Sequence, residues 1–306
     1  MELAKITAGQ VTILFILILA GFTSVKAGFI KAEAKKHFSD LLINLIIPAM
    51  IINSYMSGFD EKVLSNLLQA FILSTVLVVL GIVITLIAGI GFKDKDAPII
   101  KFACCFSNAA YMGFPLIEAL FGDEGLIYAS AFVTVYNILL WTVGFTIVSK
   151  KAEIKQIIHS IITTPALISV AIGLIIYLCR IDVPHIIKQP ISYVGGMNTS
   201  LSMIVTGMLI AGSKPKSLVG SKFIPFAIIV RLFVIPFACL ALFKALHIKG
   251  EVSQIALMLE SCPCAAITSV FAVRFDYNED IAAGAVVITT LLSIITLPCM
   301  AYFITM

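Results

Sequence analysis

Long apolar runs dominate this sequence and restrict its fold more than any other feature. A helix that crosses a bilayer needs about 20 mostly apolar residues, and ten such runs fill most of the 306 residues. We number them TM1 to TM10: 9–30, 39–57, 64–92, 97–121, 124–148, 156–179, 188–212, 222–246, 252–274 and 279–304. Because their apolar residues are continuous and do not alternate with polar ones, a transmembrane β-barrel is disfavoured. The runs predict an all-α polytopic membrane protein with ten transmembrane helices.

The composition and the histidines exclude several classes of protein. Only 12% of the residues are charged and 60% are hydrophobic, against about 25% and 45–50% in a soluble domain. This excludes an ordinary soluble enzyme, a nucleic-acid-binding protein and a disordered chain. All four histidines fall in loops or at helix ends, so the membrane interior lacks the usual general base. No GxxxxGK[ST] sequence is present; we therefore expect no enzyme, no direct use of ATP and no cofactor beyond a coupling ion.

Positive charges separate the connections between the runs into two groups. The connections after TM1, TM3, TM5, TM7 and TM9 hold fourteen of the 21 Lys and Arg residues, the other group holds six, and Arg231 lies inside TM8. Positive residues concentrate on the cytoplasmic side of a membrane. The larger group is therefore predicted to be cytoplasmic, and both termini are predicted to lie outside the plasma or inner membrane.

The ten runs divide into two halves around a short basic stretch. With five helices in each half, the second half is inverted relative to the first, and inverted repeats are typical of transporters. We predict a first five-helix repeat over 1–149, a short cytoplasmic linker over 150–158 and a second, inverted repeat over 159–306. Aligning 107–121 with 261–275 also brings together two segments that carry the same kind of interruption.

TM4 and TM9 are both interrupted near their middle. The residues responsible are Ser107, Asn108, Gly113 and Pro115 in TM4, and Glu260, Ser261 and Pro263 in TM9. Proline removes an amide donor and glycine weakens a helix, so each run is predicted to break into two half-helices. The half-helix N-termini, near 113–116 and 265–268, should attract an anion, and the carbonyl ends, near 106–108 and 260–262, a cation. Paired breaks indicate a transporter binding site; two ordinary proline kinks are the alternative.

Several of these segments resemble a known family. NAAYMGFPL at 108–116 resembles the TM4 signature of the auxin efflux carrier family, and ESCPCAAITSVFAV at 260–273 resembles its second proline crossover. The segments at 207–212, 231–236 and 289–298 are similar to others that recur in it. The resemblance implies two inverted five-helix repeats in which broken TM4 and TM9 cross, with a scaffold domain and a mobile transport domain. It also implies a bacterial-type carrier of a small organic anion, either auxin-like or a short dicarboxylate.

The chain departs from that family in two places. The long hydrophilic loop of many plant members is absent, and only the short basic stretch around 150–158 stands there. In TM7, where the family often has proline, this chain has Ser200, whereas the first repeat keeps Pro48. The resemblance therefore implies the fold without the regulation associated with the long loop.

A more distant resemblance to bile acid:sodium symporters implies a sodium site. The residue types that match their sodium ligands are Ser107, Asn108, Ser130, Thr134 and Glu260. Ser130 and Thr134 are four residues apart and share one helix face. A carboxylate near the bilayer midplane is costly unless it is paired, protonated or bound to an ion. Glu260 is therefore interpreted as a sodium ligand, a proton carrier or a structural hydrogen-bond acceptor.

Further polar residues in the apolar runs are candidates for substrate binding. Arg231 either attracts an anion or braces helix packing, and Glu118 either has a functional role or snorkels or pairs near the surface. Asn53 and Asn137 either line a cavity or tie helices together, and Tyr111 either contacts the substrate or packs. The full candidate set for substrate binding is Asn53, Asn108, Tyr111, Gly113, Pro115, Asn137, Pro263 and Arg231.

The leading functional hypothesis is a secondary active transporter of a small organic anion, either a symporter or a uniporter, that works by alternating access. Sodium and protons both remain open as the coupling ion. An anion channel or a membrane substrate sensor on the same scaffold is the alternative. The expected partners are the anionic substrate, the lipid bilayer and, by fold analogy, a second copy in a homodimer; no nucleic acid is expected.

Overall fold

The computed structural model describes residues 2–31, 33–56, 61–149, 154–212 and 221–306, so part of the predicted linker lies outside the described residues. Helices make up most of these ranges. The α-helices are α1 (Glu2–Lys26), α2 (Ala34–Leu41), α3 (Ile47–Ser54), α4 (Glu61–Ala88), α5 (Ala97–Cys105), α6 (Phe114–Leu139), α7 (Phe145–Ser149), α8 (Ile154–Thr163), α9 (Pro165–Leu178), α10 (His185–Gly196), α11 (Asn198–Ala211), α12 (Phe223–Ile229), α13 (Ile235–Ala245), α14 (Glu251–Glu260), α15 (Ile267–Arg274) and α16 (Glu279–Thr305). Short π-helical turns lie at Leu42–Ile46, Ala109–Gly113, Leu140–Gly144 and Val230–Val234.

Many of these helices are long and apolar enough to cross a membrane. Within the described residues the continuous stretches of this kind are Glu2–Lys26, Ala34–Ser54, Glu61–Ala88, Ala109–Ser149, His185–Ala211, Phe223–Ala245 and Glu279–Thr305. The prediction of an all-α, multi-pass membrane protein is therefore confirmed. Ten crossings in two inverted repeats remain a prediction.

The continuous stretches are fewer than the ten predicted runs for local reasons. α6 joins the end of TM4 to TM5 through Gly122, whose φ of 63° lies in the left-handed region that glycine tolerates. TM6 is interrupted at Thr164, which is extended because the following residue, Pro165, disfavours a helical conformation before it. TM9 is broken between α14 and α15.

α1 packs closely against α11 through a reciprocal pair of glycines. A Cβ on Gly21 would lie against the Ile204 carbonyl group, 2.8 Å from its carbon. A Cβ on Gly207 would lie against the Ile18 carbonyl group, 2.9 Å from its carbon. Small residues allow helix backbones to approach this closely within a membrane.

Contacts between connections group several of them on one face. Lys222 at the start of TM8 forms a 2.7 Å salt bridge with Asp94 after TM3. The Tyr277 hydroxyl after TM9 donates to the carbonyl oxygen of Val148, at the end of TM5. The Asn278 amide after TM9 donates to Asp96 Oδ1 after TM3 at 2.8 Å, so the connections after TM3, TM5, TM7 and TM9 lie together, as the charge pattern groups them. Which face is cytoplasmic remains a prediction.

Candidate functional site

The two predicted breaks lie against each other. α5 ends at Cys105, residues 106–108 are unwound, and the chain resumes as a π-helical turn. α14 ends at Glu260, and the next helix, α15, begins only at Ile267. Both interruptions predicted from the sequence are thus present.

Backbone hydrogen bonds join the two unwound stretches. The Asn108 amide donates to the Pro263 carbonyl oxygen at 2.7 Å, and the Ala265 amide donates to the Phe106 carbonyl oxygen at 3.0 Å. The two stretches run antiparallel over this contact. Backbone groups in each unwound stretch are therefore hydrogen-bonded by backbone groups of the other stretch. Backbone polar groups that are buried away from water need such partners.

The first downstream half-helix begins earlier than predicted. The amides of Met112 and Gly113 both donate to the Asn108 carbonyl oxygen, at 3.0 and 3.1 Å, so helical turns begin at Ala109 and not near 113–116. Pro115 is the second residue of α6, which directly follows the π-helical turn Ala109–Gly113, so it lies downstream of the break. The change of direction therefore occurs at Asn108, and Pro115 does not cause it. In TM9, α15 begins at Ile267, inside the predicted range.

Beside both downstream half-helices lie buried polar atoms that have no partner within the described ranges of the chain. They are Ser107 Oγ, Asn108 Nδ2 and Thr268 Oγ1, and all three residues are almost fully buried. The first N–H groups of a helix also lack an intrahelical partner, and they carry partial positive charge. A buried polar atom without a partner is costly, so its presence at both N-termini indicates a place where a ligand can supply the missing hydrogen bonds.

Arg231 and Glu260 form an ion pair beside this crossing. Arg231 Nη2 donates to Glu260 Oε1 at 2.9 Å, and the two side chains are 0% and 1% exposed. Arg231 Nη1 donates to the Cys104 carbonyl oxygen at 3.0 Å. Of the two roles expected for Arg231, these contacts fit the bracing of helices, since the guanidinium group joins three helical segments.

Gly81 on α4 completes the enclosure of the carboxylate. A Cβ at this position would lie 2.9 Å from Glu260 Oε1 and 3.3 Å from Ile235 Cγ2. Only a residue without a side chain allows α4 to approach Glu260 at this distance. The charged pair is therefore covered by protein on this side as well.

The other two expected sodium ligands have hydrogen-bond partners in the protein. The hydroxyl groups of Tyr55 and Ser130 lie 2.7 Å apart, and Ser130 Oγ also donates to the Ile127 carbonyl oxygen at 2.7 Å. Thr134 Oγ1 donates to the Ser130 carbonyl oxygen at 2.8 Å. The contact between Tyr55 and Ser130 joins α6 to the end of α3, and the other two hydrogen bonds lie within α6.

Two residues expected at the substrate site pack inside the protein. A Cβ on Gly113 would lie 2.6 Å from Leu259 Cδ2 and 3.6 Å from Cys262 Sγ, so this glycine allows the broken helices to approach. Tyr111 is 7% exposed, and its hydroxyl group faces Ser39 on α2. Gly113 serves packing, whereas Tyr111 stands two residues after the start of the half-helix, within its first turn.

The expected asparagines differ in their surroundings. Asn137 Nδ2 donates to the Val133 carbonyl oxygen of its own helix at 2.8 Å. Asn53 Oδ1 is buried and has no partner among the residues that the structure describes. Asn53 therefore has an acceptor left for a ligand, whereas one of the two amide donors of Asn137 is already used.

Asn198 was missed by reasoning from the sequence. It is the first residue of α11 and is 0% exposed, and neither its Oδ1 nor its Nδ2 has a partner in the part of the chain that the structure describes. The next residue, Thr199, donates from Oγ1 to Glu118 Oε2 at 2.9 Å, which gives Glu118 the pairing expected for it. The sequence feature that could have indicated it is an asparagine inside TM7, two residues after a pair of glycines.

With this geometry in view, comparison with known proteins decides the family. The sequence model of a family described as "Membrane transport protein" matches residues 6–161 and 153–301. The chain belongs to this family. It is the auxin efflux carrier family that the segments in TM4 and TM9 resemble.

Relatives in this family cover almost the whole chain. An uncharacterized transporter of Methanocaldococcus jannaschii is 26% identical over 301 residues, which is 94% of this chain and 95% of the relative. An uncharacterized transporter of Methanothermobacter thermautotrophicus is 22% identical, over 92% of this chain and 93% of the relative. The uncharacterized transporter YfdV of Escherichia coli is 18% identical, over 96% of both chains. The family's general function is therefore membrane transport.

Proposed function

We propose that this protein is a secondary active transporter that carries a small organic anion by alternating access at the crossed, broken helices. One observation carries this proposal: two half-helix N-termini meet at a hydrogen-bonded crossing, and buried polar atoms beside them lack partners among the described residues. Membership of a membrane transport family supports the general class. The alternative uses of the same scaffold, a channel or a sensor, become outcomes of the test below.

The chemistry of the crossing supports an anion that carries a carboxylate group. Asn108 Nδ2 is a hydrogen-bond donor without a partner, and it lies next to the N–H groups that begin at Ala109. Donors of this kind, together with the partial positive charge of a helix N-terminus, bind carboxylates. Short dicarboxylates and auxin-like aromatic acids share this group, so both belong to the proposed substrate class.

The proposed architecture has ten transmembrane helices in two inverted repeats, 1–149 and 159–306. The equivalent positions of the two breaks support this division, and so does the meeting of the two family matches within 153–161. α1, α3, α10 and α11 would belong to the scaffold, and the helices around the crossing would move. Both termini would lie outside the plasma membrane, and the basic connections would be cytoplasmic.

Counterflow into proteoliposomes tests the proposed function. Purified full-length protein would be reconstituted into vesicles loaded with unlabelled malate or indole-3-acetate, and uptake of the same radiolabelled acid would be followed. We expect saturable uptake that is stimulated by acid on the opposite side for one of these two probes. Asn108→Asp should raise the half-saturating concentration at least about tenfold, because an added carboxylate repels an anion at close range.

Asn278→Asp is the matched control for this variant. Asn278 is exposed and caps α16 by accepting from the Ile281 amide, a role that aspartate fills equally well. Its uptake should equal that of the wild type. Conductance without saturation would contradict the proposal and favour a channel, and saturable binding of a probe without counterflow would favour a sensor.

A further inference from the structure

A single cation contacts the last residues of the upstream half-helix in both broken helices, through a main-chain carbonyl in α5 and a side-chain carboxylate in α14. Cys104 lies one residue before the end of α5, and its carbonyl oxygen accepts from Arg231 Nη1 at 3.0 Å. Glu260 is the last residue of α14, and its carboxylate accepts from Nη2 of the same side chain at 2.9 Å. Arg231 itself comes from a third segment, the π-helical turn between α12 and α13.

This position concentrates negative charge away from water. Each helix C-terminus carries roughly half a negative charge, and the Glu260 carboxylate adds a full one. A carboxylate inside the membrane needs a partner, and here both side chains of the pair are almost fully buried. Burial of this negative charge therefore requires a cation at the crossing, and the protein supplies it as the side chain of Arg231.

The same pair disfavours sodium on the Glu260 carboxylate. A sodium ion bound to that group would lie close to the guanidinium of Arg231, and the two positive charges would repel each other strongly in a buried site. Gly81 closes Oε1 from the side of α4. The hydroxyl groups of Ser130 and Thr134 are engaged with Tyr55 and with the backbone. The residues thus do not fit a sodium site centred on Glu260.

We propose that Arg231 is the built-in cation of the helix crossing and makes sodium unnecessary for folding and transport. This inference rests on the proposed function, because it assigns the charge that holds the two broken helices in the geometry of the anion site. Arg231 is then a positioning residue, since its contacts are with Cys104 and Glu260. Small cations in solution should raise the melting temperature only in variants that lack this guanidinium group.

Thermal stability of the purified protein in detergent tests this proposal without requiring a substrate. We would titrate sodium chloride or methylguanidinium chloride against choline chloride at constant ionic strength. A ligand that binds the folded state raises the melting temperature in a saturable manner. The wild type should show no saturable response to sodium. Arg231→Ala should melt at a lower temperature, and methylguanidinium should recover at least half of that loss.

Three variants serve as controls. Arg231→Lys keeps a positive charge, so methylguanidinium should stabilise it less than Arg231→Ala. The double variant Arg231→Ala/Glu260→Gln has no carboxylate to neutralise and should lose the response to methylguanidinium. Lys222→Ala removes an exposed cation with 60% side-chain exposure and should respond to salts as the wild type does.

Either of two results would overturn the proposal. One is a saturable rise in the wild-type melting temperature with sodium, which needs no variant to fold. The other is a folded Arg231→Ala variant that methylguanidinium does not stabilise. Counterflow measured in choline and in sodium adds an independent readout, and we expect equal rates. If no acid is transported but the stability pattern holds, the substrate class is wrong and the role of Arg231 stands.

Discussion

The contact between α1 and α11 allows a quantitative test of the helix packing. Gly21→Ala would place a Cβ against the Ile204 carbonyl group, 2.8 Å from its carbon, whereas carbon atoms in contact lie about 3.5–4.0 Å apart. The obstacle is backbone, so no side chain can rotate away. The two helices must therefore separate by about 1 Å, or bend, to admit one methyl group.

The expected cost follows from two opposing effects. Overpacking of this kind costs about 1–3 kcal/mol, and a backbone obstacle favours the upper end of that range. Replacing glycine with alanine inside a helix returns about 1 kcal/mol. The net destabilisation should be about 2 kcal/mol, which lowers the melting temperature by about 3 °C in a protein of 306 residues, given an unfolding entropy of about 2.1 cal/mol/K per residue.

Buried cysteines provide the assay. Cys104, Cys105, Cys239, Cys262 and Cys264 are buried, so a thiol-reactive fluorophore reports their exposure when the protein unfolds. The two exposed cysteines would first be replaced with serine to remove the background. Melting temperatures of the variants would then be compared in one detergent at one heating rate, because unfolding of membrane proteins is often irreversible.

Gly9→Ala is the matched control in the same helix. No atom lies within 4 Å of a Cβ built on Gly9, so this substitution should leave the melting temperature unchanged or raise it through helix propensity. If Gly21→Ala melted at the same temperature as Gly9→Ala, the close approach of α1 and α11 would be refuted.

Charged and unpartnered residues allow three shorter tests with the same assay. Glu260→Gln should cost about 3–5 kcal/mol, because it leaves the Arg231 cation buried without its anion, and Arg231→Met/Glu260→Met should regain most of that loss. A hydrogen bond from Lys222 lowers the pKa of Asp94, so this pair stabilises the fold above the ordinary aspartate pKa and loses that effect as the pH falls through the lowered value. Wild type and Lys222→Gln should therefore differ in melting temperature at neutral pH, and this difference should begin to shrink below about pH 4 and vanish only below the lowered pKa of Asp94. Asn198→Leu should raise the melting temperature, because it removes two buried polar atoms without partners; a lower value would contradict that reading.

Much of the fold could be predicted because its determinants are local. The length of an apolar run decides whether a helix can cross a bilayer, and glycine and proline act on the turn in which they stand. The breaks beside Asn108 and Pro263 were therefore predictable, and the structure has both. The start of the half-helix at Ala109 was not, because the Asn108 carbonyl oxygen accepts two amides in a π-helical turn that no periodicity of 3.6 residues indicates.

The partner of a buried charge is decided by tertiary packing, and here the sequence separates the partners widely. Glu260 lies 29 residues from Arg231, and the Cys104 carbonyl oxygen lies 127 residues from it. From the sequence, Glu260 is interpreted as an ion site or a structural hydrogen-bond acceptor, and Arg231 as a substrate site or a brace, each considered alone. Yet a carboxylate and a guanidinium group can both lie deep in apolar runs. Pairing them with each other neutralises both charges at the lowest energetic cost, because neither then needs a ligand to remain charged. Pairing such residues with each other before assigning either to a ligand would have predicted this contact from the sequence.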